Sequence, residues 1–135
     1  EAVGHPVESG VGERRPEGAQ RERVHDGIVG ARRVAEQKPP LAQERKVAVI
    51  ANRPFAEGGL FRKVKGKPLP PWAAELGIGS WAQYFLKWIV SHPAVTCAIP
   101  GTGKPEHMKD NLGAGRGPLP DEGARRRMAQ YFDSL

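Results

Sequence analysis

The run CAIPGTGKPEH, residues 97–107, decides the fold. A short apolar stretch ends at Pro100, passes through Gly-Thr-Gly-Lys, and meets Pro105, a residue suited to the first position of a helix. N–H groups at a helix start lack backbone partners, and the helix dipole favours an anion there. Lys104 adds a full positive charge at the same place, so a strand, a glycine turn and a helix start together predict a phosphate-holding loop.

Upstream of this loop, Ala94–Ile99 reads as a strand. Before it lies the clearest helix of the chain. Ser80 and Gln83 form an S-x-x-Q capping box. Trp81, Tyr84, Phe85, Trp88 and Ile89 then fall at i, i+3, i+4, i+7 and i+8, one broad apolar face read as core packing. His92-Pro93 stops the helix. Further upstream, LAQERK reads as the end of a surface helix, and Val47–Ala51 as a strand covered on both faces, because it is apolar without alternation and rich in β-branched residues. The stretch from Asn52 to Trp72 reads as a Gly-rich loop.

Downstream of the loop, a short helix is predicted over PEHMKDNL, a loop over GAGRGPLPDEG and a terminal helix from Asp121 to Phe132. The fold class is therefore α/β, one βαβ unit with a trailing helix and a right-handed crossover.

Residues 1–40 differ in kind. They contain no Leu, Met, Phe, Tyr or Trp, and their scattered valines and Ile28 follow neither a 3.6 nor a 2 period. Such a segment buries too little apolar surface to offset about 1–2 kcal/mol of backbone ordering per residue. It is read as a low-complexity segment, disordered or translated out of frame from GC-rich DNA, with at most a brief helix over DGIVGARRVAEQK. Every leucine and every aromatic lies from Leu41 onward, which sets the domain at 41–135.

The 135 residues carry a net charge of +6, and residues 1–40 balance seven basic against seven acidic residues, so the excess lies in 41–135. Arg125-Arg126-Arg127 reads as a solvated helix face, and no nucleic-acid partner is expected. Cys97, the only cysteine, reads as a small buried residue and fits a reducing compartment. No apolar run approaches the ~20 residues of a membrane span, and the charged, Gly-rich first residues do not resemble a signal peptide. A cytoplasmic location and no metal site are the expectations. The mononucleotide motif G-x-x-x-x-G-K-[ST] does not apply, because Ala98 stands at its first glycine and Pro105 at its hydroxyl residue.

Three separated blocks, VAVIANRPFAEGGLF, SWAQYFLKWIVSHPAVTCAIPGT and KPEHMKDNLGA, resemble the C-terminal part of bacterial aldo/keto reductases in the family's own order. The resemblance covers about residues 41–135. It implies a fragment of a (β/α)8 barrel, strands seven and eight with their helices, from enzymes that reduce aldehydes and ketones with NADPH. By position, Thr102 and Lys104 would hold the 2′-phosphate of NADP. His107 stands where many members place an arginine, and a neutral imidazole gives up that bidentate charge, so NAD stays an alternative. Asp110 and Asn111 match the pair that hydrogen-bonds the adenine. Arg53, Pro54, Phe55 and Gly58 belong to the loop along the pyrophosphate. The family's catalytic Asp, Tyr, Lys and His come from the first half of the barrel, so no catalytic residue is assigned here. The chain alone is expected to be inactive and prone to self-association, with its strand faces exposed. The alternative reading is a non-enzymatic βαβ interaction module.

Each site residue also has a plainer reading. Gly101 and Gly103 suit any turn, Lys104 any solvated surface, and Asn111 a helix C-cap.

Overall fold

The structure, a computed structural model, describes residues 44–135. The expectations for residues 1–40, and for a helix end at Leu41–Gln43, fall outside them.

Two short strands, β1 (Ile50–Asn52) and β2 (Cys97–Ile99), pair in parallel with Ile50 opposite Cys97, Ala51 opposite Ala98 and Asn52 opposite Ile99. The pairing reaches back to Val49, whose N–H donates to Thr96 Oγ1 at 3.1 Å and whose carbonyl accepts from Thr96 N at 2.9 Å. The strands are shorter than the apolar runs. Val95 N donates to the His92 carbonyl, so Ala94 and Val95 belong to the turn that ends the preceding helix.

Among the described residues the α-helices are α1 (Gly59–Lys63), α2 (Trp81–Val90), α3 (Pro105–Gly113) and α4 (Glu122–Asp133). The stretch expected to be loop is more structured than its glycine and proline content implies. It holds α1 and a 3-10 turn, Ala56–Gly58, with Leu60 and Val64 buried in the core, and a second 3-10 turn, Pro71–Leu76, begins at its end and buries Ala73. Pro71 opens the second turn, and Gly77, at φ 62°, closes it in a left-handed conformation that other residues rarely adopt.

α2 is the centre of the fold. Ser80 is its N-cap and accepts from Gln83 N at 3.1 Å. The reciprocal arm of the box falls one residue earlier, since Gln83 Oε1 accepts from Gly79 N at 2.8 Å. The apolar face packs as its spacing predicts: Tyr84, Phe85, Trp88 and Ile89 are buried between Ala51 and Ala98 of the sheet and Met128, Ala129 and Phe132 of α4. Phe85 meets Phe132 edge-on at 5.6 Å. Tyr84 donates its hydroxyl to the Met128 carbonyl at 2.8 Å, and burial raises its pKa far above the ordinary phenol value, so it serves packing.

Lys87 is buried on the same helix. Its Nζ donates to the carbonyls of Arg116 and Pro118, tying down the segment between α3 and α4, and desolvation lowers its pKa. Asp121 caps α4 by accepting from Ala124 N at 2.7 Å.

The arginine triplet is not one solvated face. Arg125 lies 4.7 Å from the Trp88 ring centroid and donates from Nε to the Trp88 carbonyl. Arg127 lies 4.4 Å from the Trp72 ring, and Arg126 pairs with Glu122. The guanidinium groups of Arg125 and Arg127 thus sit over two different rings, and that of Arg126 faces Glu122.

Among the described residues the sheet is covered on one side only. Successive residues of a strand face opposite ways, so Ala51 and Ala98 turn to α2 while Ile50, Cys97 and Ile99 turn away. Ile50 remains 57% exposed and Ile99 51%. Cys97 is exposed, against the expectation of a buried core residue: its alternation puts it on the open face beside Ile50, where no described residue stands.

Candidate functional site

Because β1 and β2 run parallel, the segments that leave their carboxyl ends emerge side by side. Between them is a cleft of about 700 Å³. Its lining comes from the segment after β1, the first turn of α2, and the segment after β2 with α3. In α/β proteins ligands bind outside the carboxyl ends of the strands, where loops supply polar groups without disturbing the sheet.

The wall after β1 contributes Arg53, Pro54, Phe55 and Gly58. Its backbone is unusual. Arg53, Ala56 and Glu57 lie at φ 54°, 49° and 53°, and Gly58 at 84°. Left-handed conformations at non-glycine residues persist only when surrounding contacts hold them. Here Asn52 Oδ1 accepts from Arg53 N at 2.9 Å, the Arg53 carbonyl accepts from Ala56 N at 3.0 Å, and Phe55 packs on Phe61 at 4.9 Å. The Arg53 guanidinium pairs with Glu57, both exposed and both lining the cleft.

The wall after β2 contributes Thr102, His107, Asp110 and Asn111. Thr102 Oγ1 accepts from Lys104 N at 3.2 Å and lies 3.5 Å from His107 Nδ1. Pro105 is the first residue of α3, as its sequence position predicts. Lys104 occupies the N-cap and offers no side-chain acceptor, so the N–H groups of Glu106 and His107 keep the free valence that helix geometry leaves at an N-terminus. Asn111 is 8% exposed. It is not the helix C-cap, a position held by Ala114.

Asp110 is differently placed. One carboxylate oxygen accepts from Ser80 Oγ and the other from Gln83 Nε2, both at 2.7 Å. The carboxylate thus joins the N-cap of α2 to the middle of α3. The approach of the two helices is close enough that a Cβ on Gly113 would stand 2.5 Å from Gln83 Nε2.

Eight of the nine residues taken from the resemblance therefore line one cleft, although they come from two segments about 50 residues apart. The ninth, Lys104, is exposed beside the start of α3 and does not line it. Sequence reading did not place Ser80, Trp81 or Phe61 in the lining. Trp81 belongs to the apolar stripe and to the cleft at once, a double use that periodicity does not reveal. Among the described residues no group of three His, Cys, Asp or Glu side chains is placed to hold a metal, and no helix is long and apolar enough to cross a membrane.

Among the described residues, a two-stranded parallel sheet with helices on one side and a cleft at the strand carboxyl ends defines an α/β fragment. Comparison with family models matches residues 28–128 to the aldo/keto reductase family, and the chain belongs to that family. The match begins at Ile28, upstream of Leu41, and ends within α4. Comparisons with curated proteins and with solved structures returned no significant match. Membership makes this a chain of oxidoreductase descent, from a family that works with a nicotinamide cofactor and a carbonyl substrate.

Proposed function

We propose that residues 41–135 are the cofactor-binding end of an aldo/keto reductase barrel, and that the cleft holds the adenosine half of NADP. The observation that carries this reading is the convergence of Arg53, Pro54, Phe55, Gly58, Thr102, His107, Asp110 and Asn111 on one cleft. β1 and β2 take the places of the seventh and eighth barrel strands, whose following loops and short extra helix form the phosphate site of such barrels.

The residues present fit the group. A 2′-phosphate needs fixed donors and positive charge; Thr102 Oγ1, the His107 ring and the free N–H groups at the start of α3 would supply the donors, and the Lys104 ammonium, exposed beside the cleft rather than in its lining, would add its charge from the rim. Arg53 and Asn111 line the same cleft, where in this reading the first would meet the pyrophosphate and the second the adenine. Bound, the nicotinamide would supply hydride to a carbonyl carbon. In this reading the described residues would hold and orient the coenzyme, and the groups that protonate the carbonyl oxygen are not among them.

A fluorescence titration with NADPH tests this. Saturable binding, weakened about tenfold in Lys104→Ala by loss of one charge-assisted contact, is expected, with NADH binding unchanged. Absence of saturable binding defeats the reading. The open sheet face of Ile50, Cys97 and Ile99 favours a second reading, a non-enzymatic module that self-associates through that face. A stable oligomer indifferent to NADPH is its signature.

A further inference from the structure

From the bonds of Asp110 we infer that this residue positions the cleft rather than contacting its ligand: Asp110, Ser80 and Gln83 form a clamp that sets α3, and with it Thr102 and His107, at a fixed distance from α2. The inference rests on the cofactor reading above and gives Asp110 a role different from an adenine partner.

Three observations converge. Both carboxylate oxygens of Asp110 already accept short hydrogen bonds, from Ser80 Oγ and from Gln83 Nε2, each at 2.7 Å. Charged hydrogen bonds in a part-buried place are the strong ones, and exchanging them for a ligand's donor gains little. Gln83 is itself oriented from its other end, since its Oε1 accepts from Gly79 N and leaves Nε2 aimed at Asp110. Ser80 is oriented likewise, accepting from Gln83 N and donating to Asp110. Finally, Gly113 leaves room for the Gln83 amide against α3, so the contact is built from both helices. His107 lies one turn before Asp110 on the same helix, and a tilt of α3 about the clamp moves it relative to the wall after β1.

Gln83 does not line the cleft, which makes the inference testable. In the full 135-residue chain, NADPH and NADH affinities are measured for Gln83→Ala, Asp110→Ala and the double variant, with amide exchange of α3 in each. The expected result is about a tenfold loss of NADPH affinity in Gln83→Ala, a similar loss in Asp110→Ala, and no further loss in the double variant. Exchange of the α3 amides quickens in all three.

Swapping the groups supplies the second arm. Gln83→Glu alone opposes two carboxylates and weakens binding further. Combined with Asp110→Asn, it restores an amide-to-carboxylate bond in reverse and rescues affinity. If Asp110→Ala weakens both cofactors while Gln83→Ala leaves them unchanged, or if the swap fails to rescue, Asp110 touches the ligand directly and the inference is overturned. If the unaltered chain binds neither cofactor, the cofactor reading itself fails and the positioning role falls with it, a result distinct from the other two.

Discussion

The two faces of the same small sheet differ in what they meet. Toward α2 the strands present alanines, Ala51 and Ala98, and the space is filled by Phe85, Ile89 and their neighbours. Away from α2 they present Ile50, Cys97 and Ile99, and more than half the surface of each isoleucine is open. The larger residues are on the uncovered side. Small residues let a helix pack closely, whereas branched residues such as Ile fill the inside of a barrel, where side chains from several strands meet. Side-chain size thus separates the face that packs on α2 from the face that no described residue covers.

The comparison breaks most severely on the packed side. Phe85→Ala removes a fully buried ring that contacts Phe61, Trp81, Tyr84 and Phe132, and is expected to destabilise by about 3–5 kcal/mol in urea unfolding, enough to abolish the folded state of a marginal domain. Gly113→Ala comes next, at about 1–2 kcal/mol. Its methyl must displace the Gln83 amide and break the bond to Asp110, so Gln83→Ala in the same chain removes most of the effect.

A smaller effect concerns His92, whose Nδ1 accepts from Ala94 N at 3.1 Å. Burial, with Arg125 adding to it, lowers its pKa below the ordinary 6.5. The folded state therefore resists a proton that the unfolded chain takes up. Stability is whole above pH 6.5 and falls as pH drops below it. His92→Asn, which keeps an acceptor, should flatten that part of the urea midpoint against pH. The smallest change is expected on the open side: Ile50→Thr should shift stability by no more than about 0.5 kcal/mol while raising solubility. A loss on the scale of Phe85→Ala there would show that the face is covered after all.

Local chemistry made most helix boundaries legible. Ser80, Pro105 and Asp121 each mark a helix start that the backbone respects, because an N-cap or N1 proline acts on its own next few residues. The strands were legible in kind and in parallel order but not in length, since pairing depends on where Thr96 meets Val49, far along the chain. The helix at Gly59–Lys63 was hidden by glycine. Cys97 was misjudged because an apolar run says that a strand is shielded without saying by which residues. Lys87 gave no signal, as its acceptors, Arg116 and Pro118, lie about 30 residues on in a segment without periodicity. The candidate site residues came from the family pattern, and eight of the nine line one cleft. The pair of hydrogen bonds that Asp110 accepts from Ser80 and Gln83 was beyond reach, because a carboxylate facing a ligand and one facing a neighbouring helix look alike in sequence.

A thiol stands in the middle of the uncovered face, and the sequence holds no other. That makes the surface chemically addressable without mutagenesis. A maleimide dye would couple to Cys97 quickly when the face is open, and any polypeptide that completes the sheet would mute the reaction in proportion to its occupancy, so the molecule carries its own gauge of assembly.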